Sequence, residues 1–114
     1  MTNYAHGRAA EQAAAEYLVR SGYEILDQNW RTRVCEIDIV ARKSNVVSFV
    51  EVKYRANLQQ GSGLEYITTS KQKQMQFAAD MWMAHRDFHG ECTLAAIEVS
   101  GPGYEVTEFI ASLV

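Results

Sequence analysis

The stretch from Cys35 to Arg55 constrains this chain most, because it reads as two apolar strands joined by a short polar turn, with charges set inside both. Ile37, Ile39 and Val40 belong to one strand and Phe49, Val50 and Val52 to the other, yet Asp38, Glu51 and Lys53 interrupt them. Strands over Arg33 to Arg42 and Val46 to Tyr54 send alternate residues to opposite faces, so Glu36 and Asp38 share one face and Glu51 and Lys53 share another. An even-length loop, Ser44 and Asn45 or Lys43 to Val46, predicts an antiparallel register with Asp38 opposite Glu51 and Glu36 opposite Lys53. Like charges paired in that way destabilise a sheet by a few tenths to about 1 kcal/mol. A divalent cation would offset the repulsion. The competing reading is a solvated sheet face with cross-strand ion pairs such as Glu36 with Lys53.

The remaining elements follow from periodicity. From about Ala5 to Arg20, Ala10, Ala13, Ala14, Tyr17 and Leu18 recur at the spacing of one helix face, and Gly22 ends the helix. Tyr23 to Trp30 reads as the first strand, and Gln59 to Gly63 as a loop after the hairpin. A second helix is expected from about Ser70 to His85, with Thr69 and Gln72 as a capping box and Met75, Ala78, Ala79 and Trp82 as a core stripe. Two last strands, Thr93 to Val99 and Tyr104 to Ile110, flank the turn signal Gly101-Pro102-Gly103. This order predicts one α/β domain over residues 1–114, a central mixed β-sheet flanked by helices, with the carboxylates on its middle strands.

Composition narrows the function classes. The 114 residues are 47% hydrophobic, enough for a core. No apolar run approaches the roughly 20 residues a membrane span needs, and no charged-then-apolar leader opens the chain, so a soluble, cytoplasmic protein is expected. Cys35 and Cys92 are expected to be free thiols. With 11 Lys and Arg against 14 Asp and Glu, the net charge is -3, which is not that of a strongly basic polyanion binder. The cations nonetheless gather mid-chain, at Arg31, Arg33, Arg42, Lys43, Lys53, Arg55, Lys71 and Lys73, where local clusters can contact phosphates. A solvated mixed-charge surface explains the same residues.

The chemistry that suits the hairpin is metal-assisted hydrolysis of a phosphodiester. Hard oxygen ligands select Mg²⁺ or Mn²⁺. Asp38 and Glu51 would supply carboxylate oxygens and Val52 its backbone carbonyl, with water completing the shell. Lys53 would orient or deprotonate the attacking water and offset charge developing on the phosphoryl oxygens. Glu11 borders the apolar face of the first helix, either as a third carboxylate or as a side chain snorkelling to solvent. A second metal reading, a zinc cluster of His85, His89 and Cys92 completed by Cys35, uses residues that also fit surface and packing roles.

Several ordered segments resemble the YraN family of bacterial endonuclease-like proteins. These are Gly7-Arg8-Ala9-Ala10-Glu11-Gln12-Ala13-Ala14, Gly22-Tyr23-Glu24-Ile25-Leu26, Asn29-Trp30-Arg31, Glu36-Ile37-Asp38-Ile39-Val40 and Phe49-Val50-Glu51-Val52-Lys53-Tyr54-Arg55, with Lys71 also fitting. Agreement is weaker after Cys92. The resemblance implies the restriction-endonuclease-like fold of PD-(D/E)XK nucleases and Holliday junction resolvases, with Asp38, Glu51 and Lys53 at catalytic positions and Glu11 at the helical acid. It departs from the pattern at Ile37, where the superfamily name expects Pro, at Cys35, where the family carries Gly, and near Ala95, where a family Asp is missing. The expectation is therefore a Mg²⁺- or Mn²⁺-dependent endonuclease acting on branched or damaged DNA. Arg31, Arg33, Arg55 and Lys71 would contact the nucleic acid, a homodimer would cut paired strands, and a repair or recombination partner would recruit it. The alternative is a non-catalytic nucleic-acid-binding or partner protein that keeps the fold.

Overall fold

A computed structural model describes residues 3–56, 64 and 67–113. The elements run α1 (Asn3–Arg20), β1 (Glu24–Arg31), β2 (Glu36–Lys43), β3 (Val46–Arg55), α2 (Thr69–Arg86), β4 (Glu91–Ser100) and β5 (Glu105–Ile110). The strands form one sheet in the order β1-β2-β3-β4-β5. Among the described residues only β3 and β4 pair in parallel, and the other neighbours are antiparallel. That single parallel pair arises because α2 separates β3 from β4 in the chain, and a parallel pair needs such a crossover. Among the described residues no helix is long and apolar enough to cross a membrane. The expected loop at Gln59 to Gly63 lies outside the described residues.

The sheet is covered on both faces. Ala10, Ala14, Ala15 and Leu18 of α1 pack on Ile39, Ala41, Val50, Ala95, Ile97 and Val99. The small alanines let the helix backbone lie close to the sheet. On the other face Ala78, Ala79 and Trp82 of α2 pack on Ile37, Val40, Val47 and Phe49. Trp82 and Phe49 meet edge to face with centroids 5.5 Å apart, an arrangement worth about 0.5–1.5 kcal/mol beyond area burial. The Trp82 indole also donates to Asp27 Oδ2 at 2.8 Å, fastening α2 to β1.

The β2–β3 turn is two residues long. Ser44 and Asn45 both have positive φ, 53° and 67°, the conformation whose twist matches that of the flanking strands. As far as the ladder runs the register is the expected one, with Lys43 opposite Val46, Val40 opposite Phe49 and Ile39 opposite Val50, but the expected pairs of Asp38 with Glu51 and Glu36 with Lys53 lie beyond its end. Two sequence expectations are corrected. β2 begins at Glu36 rather than Arg33, because Thr32 Oγ1 accepts from the amides of Val34 and Cys35 and folds that segment into a turn. α2 is capped one residue earlier than expected: Thr68, not Thr69, is the N-cap, and its hydroxyl accepts from the Lys71 amide at 3.1 Å.

Candidate active site

The β2–β3 ladder stops at Ile39 and Val50, one pair short of Asp38 and Glu51. There the pleat of β2 breaks. Ile37 packs into the α2 layer while Ile39, two residues on, packs into the α1 layer, so the strict alternation expected across Asp38 does not hold. The Val52 amide, which ladder pairing would otherwise occupy, donates to Asp38 Oδ2 at 2.8 Å. The Val52 amide is therefore not orphaned by the break, and its bond fixes the Asp38 carboxylate where the strands part. On the neighbouring strand Asn29 has a φ of 51°, so β1 is also distorted beside the same point.

Burial, and after it the charge of Glu51, pushes the Asp38 carboxyl up to about 7, although the Val52 amide pulls it down. The charges of Glu11 and Glu36 push in the same direction. Burial likewise raises the Glu11 carboxyl from its ordinary value, partly offset by hydrogen bonding with Asn29 and Asp38. Its Oε2 atom is buried and has no hydrogen-bond partner. Acids from α1, β2 and β3 thus converge. The helix-borne Glu11 stands beside the sheet acids and does not snorkel to solvent.

A cleft of about 510 Å³ opens over Glu36, Asp38 and Glu51. Its walls are the β1–β2 turn, with Val34 and Cys35, and the start of α2, with Ser70, Lys71, Lys73, Gln74, Met75 and Phe77. Lys71 Nζ lies 3.0 Å from Glu51 Oε2, so this cation is already paired with a floor acid. Lys53 is exposed two residues beyond Glu51 and does not line the cleft.

The four cations expected to contact nucleic acid fare differently. Arg33 is exposed on the turn, and Arg31 lies 3.6 Å from Glu36 on the surface. Arg55 is not presented to solvent. Its side chain is 11% exposed and pairs with Glu98, itself 5% exposed, at 3.4 Å. Thr107 adds a hydrogen bond to Glu98 Oε1 at 2.6 Å. Arg55 therefore joins β3 to β4, a placement that its position at a strand end did not reveal. The residues of the zinc reading are dispersed among other contacts: the His85 ring packs edge-on against Trp30, His89 Nε2 meets Asp87 at 2.8 Å, and Cys35 Sγ meets Thr32 at 3.3 Å. Cys35 and Cys92 are free thiols.

Sequence periodicity missed Lys73, Gln74 and Phe77 as cleft residues. Phe77 had a legible signal, since it is an aromatic residue placed off the buried stripe of Met75, Ala78, Ala79 and Trp82.

The arrangement admits a hard cation. Among the described residues no group of three or more Asp, Glu, His or Cys forms a ready-made metal cage. Mg²⁺, however, is commonly held by one or two carboxylates and water. The buried, unpartnered Glu11 Oε2 and the Asp38 carboxyl, raised by burial and by the charge of Glu51, are what a nearby positive charge would relieve.

A family model described as Uncharacterised protein family UPF0102 matches residues 10–99, which takes in Glu11, Asp38, Glu51 and Lys53. A UPF0102 protein of Chloroherpeton thalassium is 46% identical over 78 residues, 68% of this chain and 60% of that protein. One of Rhodococcus opacus is 40% identical over 87 residues, 76% of this chain and 74% of its own length. One of Clavibacter michiganensis is 37% identical over 97 residues, 84% of this chain and 82% of its own.

Proposed function

We propose that this chain, which belongs to the UPF0102 family, also called YraN, is a metal-dependent endonuclease that hydrolyses DNA phosphodiester bonds. The observation that carries the reading is the meeting of Glu11, Asp38 and Glu51, from three separate elements, at a break in the β2–β3 ladder under an open cleft. A purely structural sheet has no use for a buried acid raised by a neighbouring acid, since replacing such charges with apolar residues is often neutral or stabilising. Bringing them together is a cost that a cation offsets. The restriction-endonuclease-like sandwich is part of this proposal, and the five-stranded mixed sheet between two helices is compatible with it.

Asp38 and Glu51, with the Val52 carbonyl, would hold Mg²⁺ or Mn²⁺, and Glu11 would stand behind Asp38. When bound, such an ion polarises the phosphoryl group and lowers the pKa of a coordinated water. The chain's own residues supply the rest. Asp38 is oriented by the Val52 amide, which fixes one oxygen and leaves the other for the ion. Lys71 holds Glu51 and lies on the cleft wall, where it can turn to an incoming phosphate. Lys53, two residues beyond Glu51 on β3 and outside the cleft lining, would have to swing toward it to orient the attacking water and balance charge on the phosphoryl oxygens. Arg31 and Arg33, beside the β1–β2 turn, would position the DNA backbone. Paired incisions would need a symmetric dimer.

Calorimetric titration of Mg²⁺ and Mn²⁺ into the wild type and the Asp38→Ala/Glu51→Ala double variant, with cleavage of a branched DNA by the same samples, tests this. The expected result is one metal isotherm and metal-dependent cutting in the wild type, both lost in the variant. Metal binding without cutting would favour the non-catalytic DNA-binding reading. An identical isotherm in the variant would remove these acids from the metal site.

A further inference from the structure

Three large apolar side chains are exposed among the described residues, and two of them, Val34 and Phe77, line the acidic cleft. Val34 is 69% and Phe77 50% exposed, while the third, Val19, lies elsewhere on α1. Single exposed apolar residues are ordinary, but two on the lips of one polar cleft call for a ligand. They sit on different elements. Phe77 is on α2, off its buried stripe, and Val34 is at the β1–β2 turn that Thr32 locks through the Val34 and Cys35 amides.

Each apolar lip stands beside cations. On α2, Lys73 lies four residues before Phe77, so the two share a side of the helix and both line the cleft. On the turn, exposed Arg33 adjoins Val34. An aromatic face next to cations is the arrangement that grips single-stranded nucleic acid, with the base stacked and the backbone neutralised. A hydrophobic peptide would satisfy the lips but leave Lys73 and Arg33 without counter-charge. Duplex DNA would satisfy the cations but keeps its base faces stacked inside, and exposing one costs a few kcal/mol.

We propose that Phe77 and Val34 clamp an unpaired nucleobase, so that the strand entering this cleft is single-stranded DNA or the splayed arm of a branch. The inference rests on the nuclease reading for the fate of that strand, but the clamp itself is a binding property. It gives the cleft a preference for unpaired over paired DNA without any sequence readout, because every base presents a π-face.

The test is fluorescence anisotropy in EDTA with fluorescein-labelled oligothymidylate, alone or annealed to its complement, using the wild type, Phe77→Ala, Phe77→Tyr and Val34→Ser. Wild type should prefer the single strand. Phe77→Ala should weaken single-strand binding by about 5- to 150-fold, the range that about 1–3 kcal/mol of stacking represents, with duplex binding unchanged within about twofold. Phe77→Tyr should restore it, and Val34→Ser should show a smaller loss of the same kind. Equal single-strand affinity in wild type and Phe77→Ala, or a failure of tyrosine to rescue, overturns the clamp, as does equal loss on single strand and duplex. A Mn²⁺ cleavage assay on the same samples separates the two readings. Cutting with no Phe77 dependence of binding sinks the clamp alone, whereas Phe77-dependent binding without cutting upholds the clamp and sinks the nuclease.

Discussion

Asp38 is the residue at which backbone and electrostatics meet. Folding raises its carboxyl to about 7, from the roughly 4 of an unfolded chain, so the folded state binds more protons between those values. Stability of the metal-free protein should therefore fall as pH rises from about 4 to about 7, then level off. Urea titrations in EDTA across that interval should show the fall in wild type and a flatter profile in Asp38→Asn. An unchanged slope in that variant would remove Asp38 as its source. Mn²⁺ should restore stability chiefly at the high-pH end, where the carboxylate is ionised, by the usual linkage of binding to folding. Lys71 makes a second residue-level prediction. Its ammonium competes with a bound cation for Glu51, so Lys71→Ala should tighten Mn²⁺ binding by a few-fold in calorimetry while slowing cleavage. Tightened binding with undiminished cleavage would exclude Lys71 from the phosphate path.

Elements position these residues through their ends. The start of α2 forms one wall of the cleft, and its first turn is held by the Thr68 hydroxyl. Thr68→Ala should cost about 0.5–2 kcal/mol in denaturant unfolding, and it should also loosen Lys71, the residue whose amide the hydroxyl accepts from. At the far end of β3, Arg55 and Glu98 form a buried pair between parallel strands, with Thr107 of β5 joined to it. Truncating one partner strands the other's charge, so Glu98→Ala should destabilise by about 3–5 kcal/mol. Were Arg55 instead a phosphate contact, its loss would move DNA affinity and leave stability near wild type. The helices and strands themselves were legible from periodicity because their apolar stripes are regular. The Ser44-Asn45 hairpin was legible too, since a two-residue polar turn between apolar strands dictates register. The early end of the β2–β3 ladder was not, because the pleat breaks through contacts from outside the hairpin.

For the whole molecule, charge is arranged rather than accumulated. A chain of net charge -3 cannot hold DNA by its overall field, so the proposed binding would come from the few cations around the cleft. With two to four phosphate contacts, the slope of log affinity for single strands against log salt should be about -1.5 to -3, and a much steeper slope would mean a wider interface than this cleft. The sequence by itself determined the element order, the mixed sheet flanked by helices, the hairpin register from the Ser44-Asn45 turn to the Ile39–Val50 pair, and family membership. These depend on local turn chemistry and on the period of apolar residues, which the chain carries in its own order. Tertiary structure alone decided that Glu11 comes to Asp38, that Lys71 pairs with Glu51 while Arg55 turns away to Glu98, and that Phe77 and Val34 share one cleft. Each joins residues far apart in sequence, and such contacts follow from how α1 and α2 seat on the sheet and from the parallel pairing of β3 with β4, which no local pattern encodes.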